Sequence, residues 1–252
     1  MWDARLYNSF EKERIQPSLD LTYRISANKV NRILDVGCGS GMSTRALKAR
    51  WQNSEIIGAD LSREMLAKAK ETLPEVKFVC RDCSLPFGNL GKFDIVFSNA
   101  FMQWIPNQKQ FIANSFEVLN EDGMFAAQIP LFNNMPANDC IINAYNEIKG
   151  NRFDSNDIFT IHDERQYYDL LSQFSHNIDI WVTDYYHVMD SHSKILEFLA
   201  GTALRPYMQK LKENQVADFL NVVKNKLSET YPMQKNGKVL FAFKRLFITA
   251  TK

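Results

Sequence analysis

The chain has 252 residues, enough for one large domain or a domain with an appended subdomain. Apolar residues make up 45% and charged residues 23%, globular proportions that argue against disorder, and thirty basic against twenty-nine acidic side chains leave +1, without the basic excess of a nucleic-acid binder. No apolar run approaches the ~20 residues of a membrane helix, Met1-Trp2-Asp3-Ala4-Arg5 lacks a signal-peptide pattern, and Cys38, Cys80, Cys83 and Cys140 are too few for a disulfide framework, so a cytoplasmic protein acting apart from membranes and nucleic acids is expected.

From about residue 30 to 130, short β-branched runs alternate with segments of helical period. Arg32-Ile33-Leu34-Asp35-Val36 reads as a strand and Thr44 to Trp51 as a helix. Glu55 to Asp60 is the next strand, and Ser62 caps a helix through Lys70 that carries a well-oriented Glu64–Lys68 pair. Val76 to Val79 and Phe93 to Phe97 follow as strands, then a helix near Gln108 to Leu119 and a fifth strand, Met124 to Ile129. This alternation predicts a parallel, doubly wound sheet. Residues 131–162 show no strong periodicity and read as a partly helical excursion. Asp163 to Phe174 is helical, Ile178 to Met189 strand-like, Ser193 to about Tyr231 an amphipathic helix interrupted at Arg205-Pro206, and Lys238 to Ala250 a last strand. The expectation is a Rossmann-like α/β fold: a mostly parallel seven-stranded sheet, an antiparallel C-terminal hairpin and helical insertions forming a cap.

The chemistry is concentrated in Asp35-Val36-Gly37-Cys38-Gly39-Ser40-Gly41, between the first strand and the first helix. Glycines there let the backbone turn tightly and let a ligand approach at the carboxyl edge of the sheet. Asp60 ends the second strand, where a carboxylate accepts both hydroxyls of a ribose. A dinucleotide fingerprint reads Gly-x-Gly-x-x-Gly, but here the third glycine comes one residue early and Met42 takes its place. Asp35 would repel a pyrophosphate and suits a ligand carrying ammonium and sulfonium charges. The pattern resembles motif I and the acidic loop of class I S-adenosylmethionine-dependent methyltransferases; an NAD-binding dehydrogenase is the alternative.

That resemblance makes Asp35, Gly37, Cys38, Gly39, Gly41, Asp60 and Leu61 cofactor residues. It adds Asp82 for the adenine amino group, Cys83 as pocket lining and Asn99 at the rim where donor and acceptor meet. A solvated loop carboxylate is the alternative for Asp82. The segment Ser98-Asn99-Ala100-Phe101 lacks the two prolines of nucleic-acid amino methyltransferases. Cys80 and Cys83 form a C-x-x-C without a second ligand pair, so no metal is expected; Cys80 reads as a buried strand residue.

Further segments narrow the likeness. Trp2-Asp3, Tyr7, Phe10, Glu13-Arg14 and Pro17, then Asn99-Ala100 with Gln103-Trp104, and Asp179-Ile180-Trp181, Tyr185-Tyr186-His187, Ser191-His192, Leu204-Arg205-Pro206, Tyr231-Pro232, Asn236-Gly237 and Arg245-Leu246-Phe247 resemble trans-aconitate methyltransferases nearly end to end. Departures are Ser40 and Lys244, where prolines are usual, and the poorly matching stretch 131–162. The resemblance implies one domain, with a helical cover over 1–29, a cofactor core over 30–130 and acceptor-side helices and final strands over 131–252. It implies a monomer that methylates one carboxylate of a small polycarboxylate. Other acceptors, or an idle S-adenosylmethionine-binding protein, are the alternatives.

A carboxylate is already ionised at neutral pH, so no general base and no Ser/His/Asp constellation is expected. The carboxylates that do not react need fixed cations, for which arginine's planar fork is suited. Arg245 leads, inside an apolar strand where an internal ion pair is the alternative; Arg205, or a solvated helix-end cation, is second, and Arg14 third. His187 and His192 are candidate hydrogen-bond donors to the acceptor or else structural. Tyr7, Gln103, Trp104, Tyr185 and Tyr186 are candidates to wall its pocket.

Overall fold

A computed structural model describes residues 10–27, 29–150 and 158–252. The elements alternate as the hydrophobic pattern requires. They are α1 (Glu11–Arg24), β1 (Arg32–Val36), α2 (Met42–Arg50), β2 (Glu55–Asp60), α3 (Arg63–Thr72), β3 (Lys77–Cys80) and β4 (Phe93–Asn99), then α4 (Gln108–Glu117), β5 (Leu119–Pro130) and α5 (Pro136–Lys149). The chain continues with α6 (Glu164–Leu171), β6 (Asn177–Met189), α7 (His192–Ala200), α8 (Arg205–Gln209), α9 (Glu213–Thr230) and β7 (Val239–Thr251).

The seven strands form one sheet in the order β3-β2-β1-β4-β5-β7-β6, Rossmann-like, with β1 to β5 parallel and the C-terminal strands antiparallel. Ile33, Leu34 and Val36 of β1 and Ile95, Val96 and Phe97 of β4 are fully buried, as central strands covered on both faces must be. The strand order reverses between β1 and β4. In an open α/β sheet a ligand crevice lies outside the carboxyl ends of the strands at such a reversal.

The chain divides into two compact units. One comprises Arg14–Pro130, Phe159–Thr183 and Leu246–Lys252. Its core is aromatic: Phe87 and Phe125 both meet Phe111 edge to face, and Phe116 stacks on Phe174. The other comprises Met1–Glu13, Leu131–Ile158 and Asp184–Arg245. There Tyr145 packs edge-on against Tyr207 and Phe219, and Tyr231 edge-on against Phe241.

Local signals place α3 well. The Ser62 hydroxyl accepts from the Met65 amide at 3.3 Å, and Lys68 bonds Glu64 at 2.9 Å one turn away. Ser62→Ala is expected to lower stability by about 1 kcal/mol, the usual worth of an N-cap, read as a shifted urea midpoint at unchanged slope.

Two expectations are sharpened and one is corrected. Residues 131–162 hold a regular 14-residue helix, α5. Its buried positions Ala137, Cys140, Ile141, Ala144 and Tyr145 do repeat at helical spacing, and the intervening asparagines occupy other faces or are themselves buried. The helical run is interrupted over residues 201–204, and Arg205-Pro206 starts the next helix, α8, because proline needs no amide partner in a first turn. Cys80 is exposed, because β3 is an edge strand, and its thiol donates to the Leu61 carbonyl at 3.5 Å. No described helix is long and apolar enough to cross a membrane.

Candidate functional site

The loop leaving β1 is built by backbone geometry. The amides of Gly37 and Cys38 both donate to the Ala59 carbonyl, at 2.8 and 3.1 Å, which ties the loop to β2. Gly37 has φ 72°, in the left-handed region, and a Cβ there would lie 2.1 Å from the Phe101 ring. Only glycine serves at that position. Asp60 fixes the loop's far side: Oδ2 accepts from the Gly39 amide at 2.9 Å and Oδ1 from the Ser62 amide at 2.8 Å. Each oxygen keeps a free lone pair, so the carboxylate still has capacity for a pair of hydroxyls.

Asp35 lies fully buried beneath the loop. Oδ2 accepts from the hydroxyls of Ser43 and Thr44, at 2.8 and 2.6 Å, both in the first turn of α2. The Ser43-Thr44 pair just after the third glycine is the sequence signal for this brace. Oδ1 is buried with no hydrogen-bond partner. Burial pushes the carboxyl up to about 6; the Thr44 and Ser43 hydroxyls pull the other way and the Asp60 charge adds to the rise. The folded pKa stands above the unfolded value, so ionisation opposes folding. The penalty is absent below about pH 3.8, grows from there to about 6 and is complete above that. Asp35→Asn is therefore expected to stabilise the ligand-free protein at pH 8 by about 1–3 kcal/mol. The gain should shrink towards zero by pH 4 in urea titrations, and the same substitution should weaken binding of a cationic ligand.

The neighbouring strand ends complete this region. Leu61 is 68% exposed beside Asp60, an apolar surface open to a flat ring. Asp82 is exposed and accepts from the Ser84 hydroxyl and amide at 2.7 and 2.9 Å, which holds its carboxyl below the usual range. Cys83 is buried, and burial pushes its thiol up to about 12; the Cys38 thiol is raised further by burial and by Asp35. Neither is a poised nucleophile. Among the described residues, no group of three or more His, Cys, Asp or Glu side chains is placed to hold a metal.

At the end of β4, Ala100 takes a left-handed φ of 53° after Asn99, whose Oδ1 is buried without a partner. Gln103 and Trp104 follow in a 3-10 turn over Met102–Trp104. Gln103 donates its amide to the Ala100 carbonyl at 2.7 Å, and Trp104 packs against Phe159 with centroids 4.8 Å apart. Gln108 locks the turn by donating to the carbonyls of Met102 and Thr160, at 2.8 and 2.7 Å. Sequence reasoning missed Gln108 and Phe101, since both act through partners distant in the chain. Arg14 is buried in α1 of this unit, and Tyr7 lies outside the described residues.

The remaining acceptor candidates belong to the other unit. Arg245, 5% exposed, sets its guanidinium 4.5 Å from the Phe243 centroid and 6.0 Å from that of Tyr185. His187, 7% exposed, sits among Phe198, Phe241, Phe243 and Tyr185, with Nε2 buried and unpartnered. Burial, and then the Arg245 charge, hold its pKa down at about 4, so the ring is neutral at pH 7. Tyr186 precedes His187 on β6, and because adjacent strand residues point to opposite faces it is 64% exposed where His187 is buried. His192 is structural in its geometry, its Nε2 bonding the Tyr231 carbonyl at 2.7 Å to join the start of α7 to the end of α9. Arg205 is exposed at the start of α8.

Residues 33–123 match the methyltransferase domain family. The chain is 35% identical over 251 residues to trans-aconitate 2-methyltransferase of Escherichia coli K12, covering 100% of this chain and 98% of that protein. The identity is again 35% to the enzyme of that name from an Enterobacter species, over 252 residues, with the same coverage. Among solved structures, YcgJ of Bacillus subtilis superimposes with a TM-score of 0.59 at 17% identity, covering 94% of this chain and 98% of that one. Haemonchus contortus phosphoethanolamine N-methyltransferase 2, solved with S-adenosylhomocysteine, gives a TM-score of 0.56 at 17% identity over 93% of this chain and 52% of that one. The structural likeness speaks for the fold; the identity sustained from end to end speaks for the family. The chain belongs to the trans-aconitate 2-methyltransferase family of S-adenosylmethionine-dependent methyltransferases.

Proposed function

We propose that this protein transfers a methyl group from S-adenosylmethionine to one carboxylate of a small polycarboxylate, trans-aconitate being the acceptor named in its relatives. The observation that carries the reading is the pair of acidic side chains at the tips of β1 and β2, on either side of a glycine loop. The fit to the methyl donor rests on three features. Asp35 Oδ1 is buried and unpartnered, Asp60 keeps acceptor capacity, and Leu61 is an exposed apolar surface beside it. A diphosphate-linked dinucleotide would meet the Asp35 carboxylate as a like charge, which disfavours the NAD alternative.

Bound S-adenosylmethionine supplies an electrophilic methyl group on a sulfonium. The acceptor carboxylate is already an anion at neutral pH, so no side chain need remove a proton. The chain's task is to bind, align and exclude water; positioning alone reaches up to ~7–11 kcal/mol in the best intramolecular cases. Asp60, held in place by the Gly39 and Ser62 amides, sets the donor's sugar end. Trp104 offers a half-covered apolar wall, and Arg245 a desolvated guanidinium whose fork suits a carboxylate that does not react. His187, neutral and with one ring nitrogen unpartnered, can hydrogen-bond an acceptor without adding charge. The same reading has the enzyme working as a cytoplasmic monomer on a small molecule.

Incubation with methyl-labelled donor and a panel of di- and tricarboxylates is expected to give a base-labile methyl ester, fastest on trans-aconitate. Calorimetry should show binding of S-adenosylhomocysteine and none of NAD. Binding of NAD alone would overturn the methyltransferase reading, and no transfer to any acceptor would point to a binding protein.

A further inference from the structure

The first turn of α5 carries a polar side chain that the protein itself does not use. Asn138 is 4% exposed and its Oδ1 is buried with no partner. Among the described residues, neither end of its carboxamide is hydrogen-bonded. An amide shut away from water without a partner costs folding free energy, so an apolar residue would hold this place in the helix better. Asn138 shares a buried stripe of α5 with Ile141 and Tyr145, three and seven residues further on, and so faces the interior of its unit.

The segment leading into α5 is fastened to β7. The Leu131 amide donates to the Lys244 carbonyl at 3.0 Å, and the Lys244 amide to Met135 Sδ at 3.3 Å. One residue before Asn138, the Ala137 amide donates to the Tyr231 hydroxyl at 3.1 Å, and the Tyr231 ring packs on Phe241 with centroids 5.3 Å apart. Phe241, Phe243 and Arg245 alternate along β7 and share one face. The His187 ring, its Nε2 also buried and unpartnered, lies 6.4 Å from Phe241 and 6.1 Å from Phe243. One aromatic face thus gathers the start of α5, His187 and the Arg245 guanidinium.

A tricarboxylate brings two carboxylates besides the one that reacts. One arginine fork answers one of them. A second buried cation would carry its own desolvation cost, whereas an uncharged N–H donor meets a carboxylate oxygen without it. Nothing in the protein fixes which way the Asn138 carboxamide turns, so its Nδ2 is available to a ligand.

We propose that Asn138 is a specificity-determining residue of the acceptor site, its Nδ2 donating to a carboxylate of the acceptor that does not react. The assignment rests on the polycarboxylate reading above and adds a neutral donor to the Arg245 fork. Stability is given up at this position in exchange for the contact.

Asn138→Leu replaces the carboxamide by an apolar group of similar outline. It is expected to raise the KM for trans-aconitate roughly tenfold to hundredfold, the worth of one hydrogen bond to a charged group. By calorimetry, the affinity for S-adenosylhomocysteine should stay within about twofold of wild type. In scanning fluorimetry the ligand-free variant should melt at or above the wild-type temperature, since an unsatisfied amide has left the interior. Asn138→Ala, which needs no extra room, should show the same rise in KM and guards against a Leu variant too bulky to fold. A lowered melting temperature with unchanged KM would make Asn138 a structural residue and overturn the proposal. So would equal losses for trans-aconitate and S-adenosylhomocysteine. If the wild-type protein methylates no polycarboxylate, the reading beneath the proposal fails; an active wild type whose variants keep its KM refutes the Asn138 assignment alone.

Discussion

Gly37→Ala is expected to remove measurable binding of S-adenosylhomocysteine, a loss of more than about a hundredfold, and to lower the melting temperature by roughly 5–15 °C. Two costs add. An L-residue at φ 72° carries about 1–2 kcal/mol of backbone strain. The new methyl would also lie 2.1, 2.2 and 2.5 Å from Cγ, Cδ2 and Cβ of Phe101. Because the stem of that side chain is involved, ring rotation cannot relieve the clash; the backbone at Ala100–Phe101 must move. That backbone is held by the Ala100 amide on Gln128 and is itself left-handed, so overpacking of roughly 1–3 kcal/mol is added. Gly237→Ala is the control: φ is 76°, yet nothing lies within 4 Å of the added carbon. It should cost only the backbone strain and leave cofactor affinity unchanged. Differential scanning fluorimetry and calorimetry on the two variants separate steric blockage from strain, and a Gly37→Ala protein with wild-type affinity would mean the loop is not packed this way.

Arg245→Gln should raise the acceptor KM by about a hundredfold while the affinity for S-adenosylhomocysteine stays within about twofold, because truncating one partner of a buried charged contact costs about 2–5 kcal/mol. Equal loss of both would make the arginine structural. A second readout does not depend on turnover. The Arg245 charge helps to hold His187 down at about 4, so in Arg245→Gln the His187 pKa should rise, though not to the free value, because burial, the larger cause, remains. Proton NMR titration of the imidazole in both proteins measures it. His187 also bears on acid stability. Its folded pKa lies below the unfolded 6.5, so stability falls as pH drops from about 6.5 to about 4, by roughly 3 kcal/mol in all. Asp35 works in the opposite sense between about 6 and 3.8. Over their common window the native state binds one proton more at Asp35 and one fewer at His187 than the unfolded chain, so these two contributions to the slope cancel. Asp35→Asn should therefore uncover a stability that falls with acid, and His187→Gln one that rises.

Much of the fold is readable residue by residue. Arg32–Val36 and Glu55–Asp60 are strands at the bounds their apolar runs indicate, and Ser62 caps α3. These features depend on side chains within a few residues of each other, where propensity, capping and the glycine turn act directly. The acidic pair Asp35 and Asp60 is legible for the same reason, since each ends a strand that its own sequence announces. The Asn-rich run over α5 reads as only partly helical because its polar positions mask a sound apolar repeat.

The chain's own letters thus decided the alternation of strands and helices, the glycine loop and the charge that faces it, all of which arise from short-range sterics and hydrophobic period. Only the folded arrangement decided that Cys80 lies on an edge, that Tyr186 and His187 part to opposite faces, that His192 clasps Tyr231 thirty-nine residues away, and that Gln103 donates back to the Ala100 carbonyl. It also decided that Asp35 and His187 both resist ionisation at their usual pH. Burial and hydrogen-bond satisfaction are properties of everything that surrounds an atom, and those surroundings are assembled from segments that do not meet until the chain has packed.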